Sequence, residues 1–469
     1  MTDGTRVRTV VVEARQLAHS TAPRSAVEAA VRAYLASGRG AAQLAALAAR
    51  AARTSAAEDD LEETLVCGRD VADAFLVAHT VCLRVAVPCG NCSSSSSGGD
   101  GDHESDKVGT VAVGTVAVYR AVEGDGEEDD WGSEGDSGEC GSSGGGGAAF
   151  SAWELPAARL DGLWESLHYG GGVKRALLGL VGAGLALGAR GVDRQLVAWN
   201  GLVLLHGPPG SGKTSAAQAL AHKLAVRLCA AGVYARAELL VVNSHSLFSR
   251  WFSESGRLVA AMFARVREIA DDARTLVVVL VDEVESLTAS RARAVRAGTE
   301  PADAVRAVNA LLTQLDLLRA RPNVLTVATS NITAAVDAAF LDRADLALRI
   351  GRPAPRARAA ILRSALDELR RVRVVAGEWD AAACSALATA AGRATAGLSG
   401  RALRKLPLLA LARGCGGGDC SAPHPLPAFI DALARTAATV RQQQQQLRDD
   451  DASADAEEVV GETVVDGLW

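Results

Sequence analysis

The stretch Gly207-Pro-Pro-Gly-Ser-Gly-Lys-Thr214 determines the fold class of this chain of 469 residues. It fits the pattern G-x-x-x-x-G-K-[ST], follows the apolar run Leu202–Leu205 and precedes a helical pattern at Ser215–Leu228. A Gly-rich turn between a strand and a helix lets backbone N–H groups surround phosphate oxygens, and the helix N-terminus adds partial positive charge. The stretch therefore predicts a phosphate-binding loop at the end of a strand.

The loop residues supply the groups that would bind the phosphates of ATP. Lys213 would reach the β- and γ-phosphates, and the Thr214 hydroxyl would ligate Mg²⁺. The loop backbone would bind other phosphate oxygens. We assign these residues to nucleotide binding: Gly207, Pro208, Pro209, Gly210, Ser211, Gly212, Lys213, Thr214 and Ser215.

Three more apolar runs predict further strands of the same sheet. Leu239–Val242, Leu276–Val281 and Val324–Ala328 alternate with helical patterns, and polar residues follow each run. Strands that alternate with helices form a parallel sheet covered on both faces. Ligands of such sheets bind outside the carboxyl ends of the strands. We therefore expect an α/β fold whose site lies at that edge.

Polar side chains at two of these strand ends complete the predicted site. Asp282 and Glu283 follow the run Leu276–Val281, and Asn331 follows Val324–Ala328. Asp282 suits the Mg²⁺ shell, Glu283 suits polarising the attacking water, and Asn331 suits positioning that water. Acids and amides at strand ends are also common in ordinary turns, but the order of the motifs favours a functional site.

The net charge of −6 is concentrated in two acidic segments. Residues 121–140 carry nine acids and residues 449–469 carry eight, with no Lys or Arg in either segment. Without these seventeen acids, the rest of the chain has a net charge of +11. We interpret the segments as solvated appendages of a mildly basic body. The alternative is that they inhibit that body by binding to it.

The sequence indicates an intracellular protein. It has no run of eighteen uncharged apolar residues, and its first residues lack a secretory apolar segment. Cys89 and Cys92 form one C-x-x-C pair without a second pair or nearby histidines at metal-ligand spacing. These thiols are interpreted as incidental in a reducing compartment, with a zinc or redox pair as the alternative.

Composition and patterning divide the chain into five regions. A helix at Ala26–Leu35 and a strand at Leu76–Val87 are typical of a small α/β domain, which a low-complexity insert at 89–106 interrupts. Residues 353–440 have helical patterns throughout most of their length. The regions are an N-terminal domain at 1–122, an acidic Gly/Ser-rich linker at 123–150, a large α/β subdomain at 151–352, a helical small subdomain at 353–440 and a disordered Gln-rich acidic tail at 441–469.

The order of these motifs resembles that of AAA+ ATPases, namely Walker A, Walker B with Asp-Glu, sensor-1 Asn and a helical small domain. Several strings resemble the pachytene checkpoint (thyroid-receptor-interacting) AAA+ ATPase family more narrowly. Four of them are Asp161–Tyr169 (DGLWESLHY), Asn243–Gly256 (NSHSLFSRWFSESG), Asp282–Leu287 (DEVESL) and Gly397–Pro407 (GLSGRALRKLP). The resemblance covers about residues 150–413, whereas residues 1–122 resemble the family's N-terminal domain only in size and position.

This resemblance implies a P-loop NTPase with a parallel five-stranded sheet between helices, a helical small subdomain and a small α/β N-terminal domain that binds substrate or adaptor. It implies a homo-hexamer that hydrolyses ATP with Mg²⁺ and partly unfolds HORMA-domain proteins, usually through an adaptor. The expected roles are meiotic chromosome-axis remodelling and spindle-checkpoint regulation, in the nucleus and cytoplasm. Direct binding of nucleic acid or membrane is not expected.

The resemblance also assigns residues to pore and ring functions. Arg250, Trp251 and Phe252 match a pore loop that grips the substrate, unless the aromatic pair is simply buried in the core. Arg343 matches an arginine finger for the adjacent subunit, with a structural ion pair to nearby acids as the alternative. Arg401 matches sensor 2, and Arg404, one turn later, is the rival candidate.

Other functions compatible with the motifs are a general protein unfoldase, a nucleic-acid-acting AAA+ ATPase and an ATP-binding switch without hydrolysis. Trp251 and Phe252 favour a protein translocase over a nucleic-acid motor, while Glu283 and Arg343 disfavour the inactive switch. The chain contains no H-E-x-x-H motif, which excludes a fused zinc protease of that type.

Overall fold

The computed structural model describes residues 8–52, 61–66, 70–71, 73–87, 111–123, 127–128, 150–170, 172–243, 255–285, 302–331, 338–414 and 423–465. They belong to two compact units. The first comprises Met1–Glu165, Tyr169–Pro208 and Lys213–Ile350, and the second comprises Ser166–His168, Pro209–Gly212 and Gly351–Trp469. The predicted N-terminal and large subdomains therefore share one unit, and the second unit resumes at Gly351, two residues before the predicted boundary.

The N-terminal part of the first unit is a four-stranded sheet with helices against it. The strands have the order β2-β3-β1-β4, in which β1 is antiparallel to β3 and parallel to β4. The elements are β1 Arg8–Gln16, α1 Arg24–Ala36, α2 Gly38–Ala52, β2 Leu61–Val66, α3 Ala74–His79, β3 Thr80–Val87 and β4 Val111–Tyr119. Alternate residues of β1, such as Val10, Val12 and Ala14, pack with Val27 and Val31 of α1 in the core.

The predicted strand Leu76–Val87 is wrong in its first residues. Ala74–His79 forms a helical turn, and the strand begins at Thr80. The Asp73 side chain caps this helix by accepting a hydrogen bond from the backbone N–H of Leu76 at 3.0 Å. A short apolar run does not distinguish a buried helix from a strand, and this cap decides the outcome.

The second sheet of the first unit has seven strands in the order β11-β7-β10-β9-β8-β6-β5. Strands β7 to β11 are parallel and confirm the five-stranded parallel sheet. Strand β6 pairs antiparallel with β8, and β5 pairs antiparallel with β6. The strands are β5 Glu127–Glu128, β6 Phe150–Leu155, β7 Leu202–His206, β8 Arg236–Asn243, β9 Thr275–Asp282, β10 Val324–Ser330 and β11 Leu346–Arg349. The short strand β5 lies within the predicted linker, so that segment is not wholly unstructured.

Helices cover this sheet as the strand–helix alternation predicts. They are α4 Leu163–Ser166, α5 Val173–Ala189, α6 Lys213–Ala230, α7 Ser255–Ala270, α8 Ala302–Leu318 and α9 Ala338–Arg343. Every residue of β10 is buried, as is every residue of β9 before Asp282. Such burial on both faces explains why these strands appear in the sequence as continuous apolar runs.

The second unit is mainly helical, as predicted. Its elements are α10 Pro355–Arg371, β12 Val375–Ala376, α11 Ala381–Thr389, α12 Gly400–Gly414, β13 His424–Pro425 and α13 Leu426–Val465. Leu362, Leu403 and Phe429 lie in one core that these helices share. No helix among the described residues of either unit has the length and apolar character needed to cross a membrane.

The expectation of a disordered tail from residue 441 is wrong for residues 441–465. Helix α13 continues through Gln442–Gln446 and ends at Val465. Gln, Arg, Ala and Glu have favourable helix propensities, so a polar composition does not by itself prevent a helix. Residues 466–469 lie outside the described part of the chain.

Candidate nucleotide-binding site

The phosphate-binding loop follows β7 and leads into α6, as the sequence predicts. Gly207 has φ +144°, and a Cβ atom there would lie 2.2 Å from the carbonyl oxygen of Ile350. Only glycine fits so close to that strand end. Pro208 is half-buried and Pro209 is exposed, while Ser215 is half-buried in the first turn of α6.

The middle of the loop belongs to the second unit and packs on the start of α12. Gly210 and Gly212 have φ values of +74° and +93°, which favour glycine. The backbone N–H of Arg401 donates to the carbonyl oxygen of Gly210 at 3.1 Å. A Cβ atom on Gly210 would lie 2.9 Å from the Ser399 hydroxyl, so this approach also requires glycine. Ser211 is buried in the same segment.

Lys213 is buried at the first position of α6. Its ammonium donates to the carbonyl oxygens of Gly207 at 2.9 Å and Pro208 at 3.1 Å, and to Asn331 Oδ1 at 2.7 Å. An ammonium has three N–H donors, so three acceptors match its capacity. The contact with Asn331 joins the phosphate-binding loop to the end of β10, as expected from the order of the motifs.

The hydroxyls of two threonines hold Asp282 at the end of β9. Thr214 Oγ1 donates to Asp282 Oδ1 at 2.8 Å, and Thr329 Oγ1 donates to the same oxygen. Thr329 also accepts the backbone N–H of Glu283 at 3.1 Å. Glu283 itself has φ +57°, a left-handed conformation that costs free energy for a residue other than glycine. Thr329 was not among the predicted site residues, although it lies in the string Thr329-Ser-Asn331.

Asn331 lies between Lys213 and two glutamates. Its Nδ2 donates to Glu285 Oε1 at 2.7 Å and has a longer contact of 3.5 Å with Glu283 Oε1. The backbone N–H of Asn331 also donates to Glu285 Oε1, at 3.0 Å. Sequence reasoning missed Glu285, whose only sequence signal was its place in the string Asp282-Glu-Val-Glu285.

These groups fit ATP and Mg²⁺. Thr214 and Asp282 place a hydroxyl and a carboxylate oxygen 2.8 Å apart. Mg²⁺ prefers oxygen ligands and commonly takes only one or two from the protein, with phosphates and water as the rest. Burial, with the charges of Arg349 and Lys213, lowers the pKa of the neighbouring His206, which therefore favours its neutral form.

Arg343 forms a two-point ion pair, but not with either flanking acid. Its Nε and Nη2 each lie 2.9 Å from a carboxylate oxygen of Asp316 on α8. The hydrogen bond from Arg343 lowers the pKa of Asp316 despite some burial. Asp345 instead accepts the backbone N–H of Asn200 at 2.9 Å and of Leu202 at 3.0 Å. A finger role for Arg343 stays a prediction.

The two sensor-2 candidates differ in their contacts within the second unit. Arg404 Nη2 donates to the carbonyl oxygen of Ser166 at 2.6 Å, whereas Arg401 lies against Gly210 of the phosphate-binding loop. This placement favours Arg401 over Arg404 for contact with nucleotide. Arg250, Trp251 and Phe252, which are predicted to form a pore loop, lie outside the described residues, as do Cys89 and Cys92.

Helix α6 also carries a buried ion cluster, about ten residues beyond Lys213. Lys223 Nζ lies 2.6 Å from Glu13 Oε2 of β1 and 2.6 Å from Glu165 Oε1 of α4. Arg227 Nε lies 2.9 Å from the other oxygen of Glu13. Burial alone would raise the pKa of Glu13, but Lys223 and Arg227 lower it below its usual value. The N-terminal sheet is thus joined to the helix that begins with Lys213.

Asp161 and His222 extend this ion cluster. Asp161 accepts the Tyr119 hydroxyl at 2.8 Å, lies 2.7 Å from Arg84 Nη1 and also pairs with Arg15. Burial would raise the pKa of Asp161, but Arg84 outweighs this effect and the pKa falls to about 2. His222 is buried beside these groups, and burial lowers its pKa to about 4.

Two family models match the chain. The model of the ATPase family associated with various cellular activities (AAA) matches residues 203–352. The model of the TRIP13-like AAA+ ATPase lid C-terminal domain matches residues 377–441. These ranges fall in the sheet that carries the site and in the helical second unit, respectively.

Two curated proteins that are similar to this chain carry the same name. The pachytene checkpoint protein 2 homolog of Oryza sativa subsp. indica is 46% identical over 316 residues, which is 62% of this chain and 66% of the relative. That of Canis lupus familiaris is 48% identical over 278 residues, which is 56% of this chain and 64% of the relative. The matched part of the chain thus spans just under two thirds of the length of these curated relatives.

A solved structure extends the likeness to most of the chain. The structure of C. elegans PCH-2 covers 93% of this chain and 100% of its own, with a TM-score of 0.66 and 28% identity. The match to the TRIP13-like lid points to a smaller group of proteins than the match to the AAA family does. With its phosphate-binding loop and strand-end acids, the chain belongs to the pachytene checkpoint protein 2 (TRIP13-like) family of AAA+ ATPases.

Proposed function

We propose that this chain binds ATP with Mg²⁺ and hydrolyses it to ADP and phosphate, using the cycle to remodel other proteins. The observation that carries the proposal is the linked set Thr214, Asp282, Thr329 and Glu283, which joins the phosphate-binding loop to the strand-end acids. Bound Mg²⁺ would be held by Thr214 and Asp282 and would offset phosphate charge.

Each residue of the site then has a part in the reaction. The backbone of the loop and Lys213 bind the phosphates and orient the γ-phosphate. Glu283 accepts a proton from the water that attacks the γ-phosphorus, as the bond to the ADP oxygen breaks. Asn331, 3.5 Å from Glu283, orients that water. Arg401, beside Gly210, senses the nucleotide from the small subdomain.

We further propose that the chain acts as a homo-hexameric ring. Arg343 of each subunit would enter the site of the adjacent subunit and stabilise the charge that develops on the γ-phosphate. Entry requires Arg343 to exchange Asp316 for phosphate oxygens, which are also good partners for a guanidinium fork. Such head-to-tail contacts close a ring when the rotation fits.

The proposed substrates are HORMA-domain proteins, engaged directly or through an adaptor by the N-terminal domain. Trp251 and Phe252 would grip an N-terminal segment of the substrate and pull it, which opens the closed substrate state. The narrow motif resemblance and the TRIP13-like lid support this assignment. It implies roles in meiotic chromosome-axis remodelling and spindle-checkpoint regulation, in the nucleus and cytoplasm.

The test is the ATP hydrolysis rate with and without a purified HORMA protein and its adaptor. We expect stimulation that Trp251→Ala abolishes while ATP binding persists. Leu408→Ala is the control, because Leu408 is a large apolar side chain that is 70% exposed on α12 of the second unit. Stimulation by DNA would instead favour a nucleic-acid motor, and stimulation by any unfolded protein would favour a general unfoldase.

A further inference from the structure

Glu285 contacts Asn331 twice through one oxygen. Glu285 Oε1 accepts the backbone N–H of Asn331 at 3.0 Å and its side-chain Nδ2 at 2.7 Å. Glu285 is 8% exposed. The backbone N–H of the preceding residue, Val284, donates to the carbonyl oxygen of Thr329 at 3.0 Å. The turn after β9 is thus fixed to the end of β10, which holds Glu285 against Asn331.

The partners of Asn331 determine which way its amide faces. On one side a glutamate oxygen accepts from Nδ2, and on the other Lys213 Nζ donates to Oδ1 at 2.7 Å. An ammonium only donates, and a carboxylate accepts. A reversed amide would place oxygen against Glu285 and NH₂ against Lys213, so that both contacts become repulsive. The two charged neighbours therefore select one orientation.

We propose that Glu285 is a positioning residue for ATP hydrolysis, and that it acts by fixing the amide of Asn331. In this orientation the carbonyl oxygen of Asn331 holds Lys213, and its NH₂ faces Glu283 at 3.5 Å. The order Glu285–Asn331–Lys213 thereby aligns the strand-end acids with the phosphate-binding loop. The inference rests on the proposed function, because it assigns a role within that reaction.

The test is a double-mutant cycle of Glu285→Gln and Asn331→Ala, measured as single-turnover ATP hydrolysis. Gln keeps the shape of Glu285 but lets either end of its own amide face Asn331, so it no longer selects one orientation. We expect the turnover rate to fall about tenfold, as for loss of a hydrogen bond to a charged group. ATP affinity should change less than about threefold, because a transition-state interaction is lost rather than uniform binding.

The second half of the cycle separates positioning from a general structural role. In the Asn331→Ala background, Glu285→Gln should change the rate less than about twofold, because the residue through which Glu285 acts is already absent. Glu268→Gln is the matched control, since Glu268 is exposed on α7 and pairs with Arg265. If Glu285→Gln does not fold, Glu285→Asp replaces it, with the same dependence on Asn331 expected.

Three results would contradict either the inference about Glu285 or the proposed function. An unchanged rate in Glu285→Gln, or an equal loss with and without Asn331, would overturn the inference alone. An absence of hydrolysis by the unsubstituted hexamer would overturn the proposed function and, with it, the role of Glu285.

Discussion

Thr329 shows how one hydroxyl arranges two acids with different expected roles. It donates to Asp282 and accepts the backbone N–H of Glu283, while its own side chain is 1% exposed. Asp282 accepts a hydrogen bond from Thr214, whereas Glu283, with its left-handed backbone, has its side chain near Asn331. Thr329 therefore stabilises a strained turn between Asp282, the proposed metal ligand, and Glu283, the proposed proton acceptor.

Replacing Thr329 with Val should slow hydrolysis without preventing nucleotide binding. The near-isosteric change removes both hydroxyl contacts, and loss of a hydrogen bond to a charged group predicts a fall in kcat of about tenfold. Steady-state ATP hydrolysis and binding of a fluorescent ATP analogue would measure the two effects. Thr326→Val, three residues earlier on the same buried strand, is the control and should keep most of its activity. Equal losses in the two variants would contradict a specific role for Thr329.

The order of motifs along the chain was enough to predict that Lys213, Thr214, Asp282, Glu283 and Asn331 lie together, because all lie at carboxyl ends of parallel strands or in the loop after one. Their roles in the reaction stay predictions. The contacts of Thr329 and Glu285 were not predictable. They depend on the register between β9 and β10 and on the positive φ of Glu283, and neither leaves a periodic signal in the sequence.

At the scale of elements, α6 connects the nucleotide site to the N-terminal sheet. The helix begins with Lys213 at the loop, and Lys223 near its middle is bound by Glu13 and Glu165. Glu13 is buried and Glu165 is half-buried, and the pKa of each is lowered by Lys223 against the opposing effect of burial. A substitution that removes one charged side chain of this cluster would leave its partner as an uncompensated buried charge.

Lys223→Met should destabilise the first unit strongly, by roughly 3–5 kcal/mol, because it leaves buried carboxylates without their ammonium. The double variant Glu13→Gln/Lys223→Met should be less destabilised than the single one, since it also removes a buried charge. Urea unfolding would measure both. Arg32→Met, which removes the exposed pair with Glu28 on α1 and exposed hydrogen bonds to the carbonyl oxygens of Val113 and Gly114, should cost about 1 kcal/mol or less. A double variant that is less stable than Lys223→Met would argue against this account.

His222 predicts a pH dependence of stability. The folded protein keeps His222 neutral down to about pH 4, whereas the unfolded chain takes up this proton near pH 6.5. The unfolded state binds more protons between these values, so stability falls as the pH falls, by about 3 kcal/mol in total. The groups that affect this pKa after burial are Asp161, Arg84, Lys223 and Glu13.

The measurement is urea unfolding at pH 6.5 and 4.5 for the natural chain and for His222→Phe, which keeps a ring beside Tyr119. The variant should lose less stability on acidification than the natural chain. The exposed His19→Phe is the control and should behave like the natural chain. Because the pKa values of Glu13, Asp161 and Glu165 are lowered, their stabilising effect is lost only at lower pH. An identical pH response in His222→Phe would refute the assignment.

Helices and strands were predictable where burial and periodicity agreed. They were not predictable where a single local contact determines the structure. The parallel strands followed from apolar runs, but α3 depends on the Asp73 cap and β5 on pairing with β6. The helix through residues 441–465 was not predictable from composition, because Gln-rich and acidic segments occur both in helices and in disordered tails.

At the scale of the whole molecule, family membership rests on more than the motifs. The resemblance in sequence covers about residues 150–413, yet the structural likeness to C. elegans PCH-2 covers 93% of the chain. The N-terminal sheet, which carried little sequence signal, is therefore part of a fold shared over almost the entire length. Its core comes from the packing of β1 on α1, and such cores tolerate hydrophobic substitutions that keep volume and patterning.

A ring that shares Arg343 between subunits predicts complementation between two inactive variants. Arg343→Ala should lower hydrolysis by about 10³-fold or more, as for other arginine fingers, while binding ATP. Glu283→Gln should also be inactive. In mixed rings, a subunit with intact Glu283 can receive Arg343 from its Glu283→Gln neighbour, so an equal mixture should recover about a quarter of natural activity. A mixture as inactive as each variant alone would contradict a finger that acts between subunits.

The central claim is that Glu283 activates water at a site that binds ATP with Mg²⁺. Its most direct test compares ATP binding and single-turnover hydrolysis, with Mg²⁺ present, for the natural chain and Glu283→Gln. We predict unchanged ATP binding and loss of hydrolysis by about 10²-fold or more, as expected when a general base is removed. Hydrolysis by Glu283→Gln at the natural rate would contradict the account.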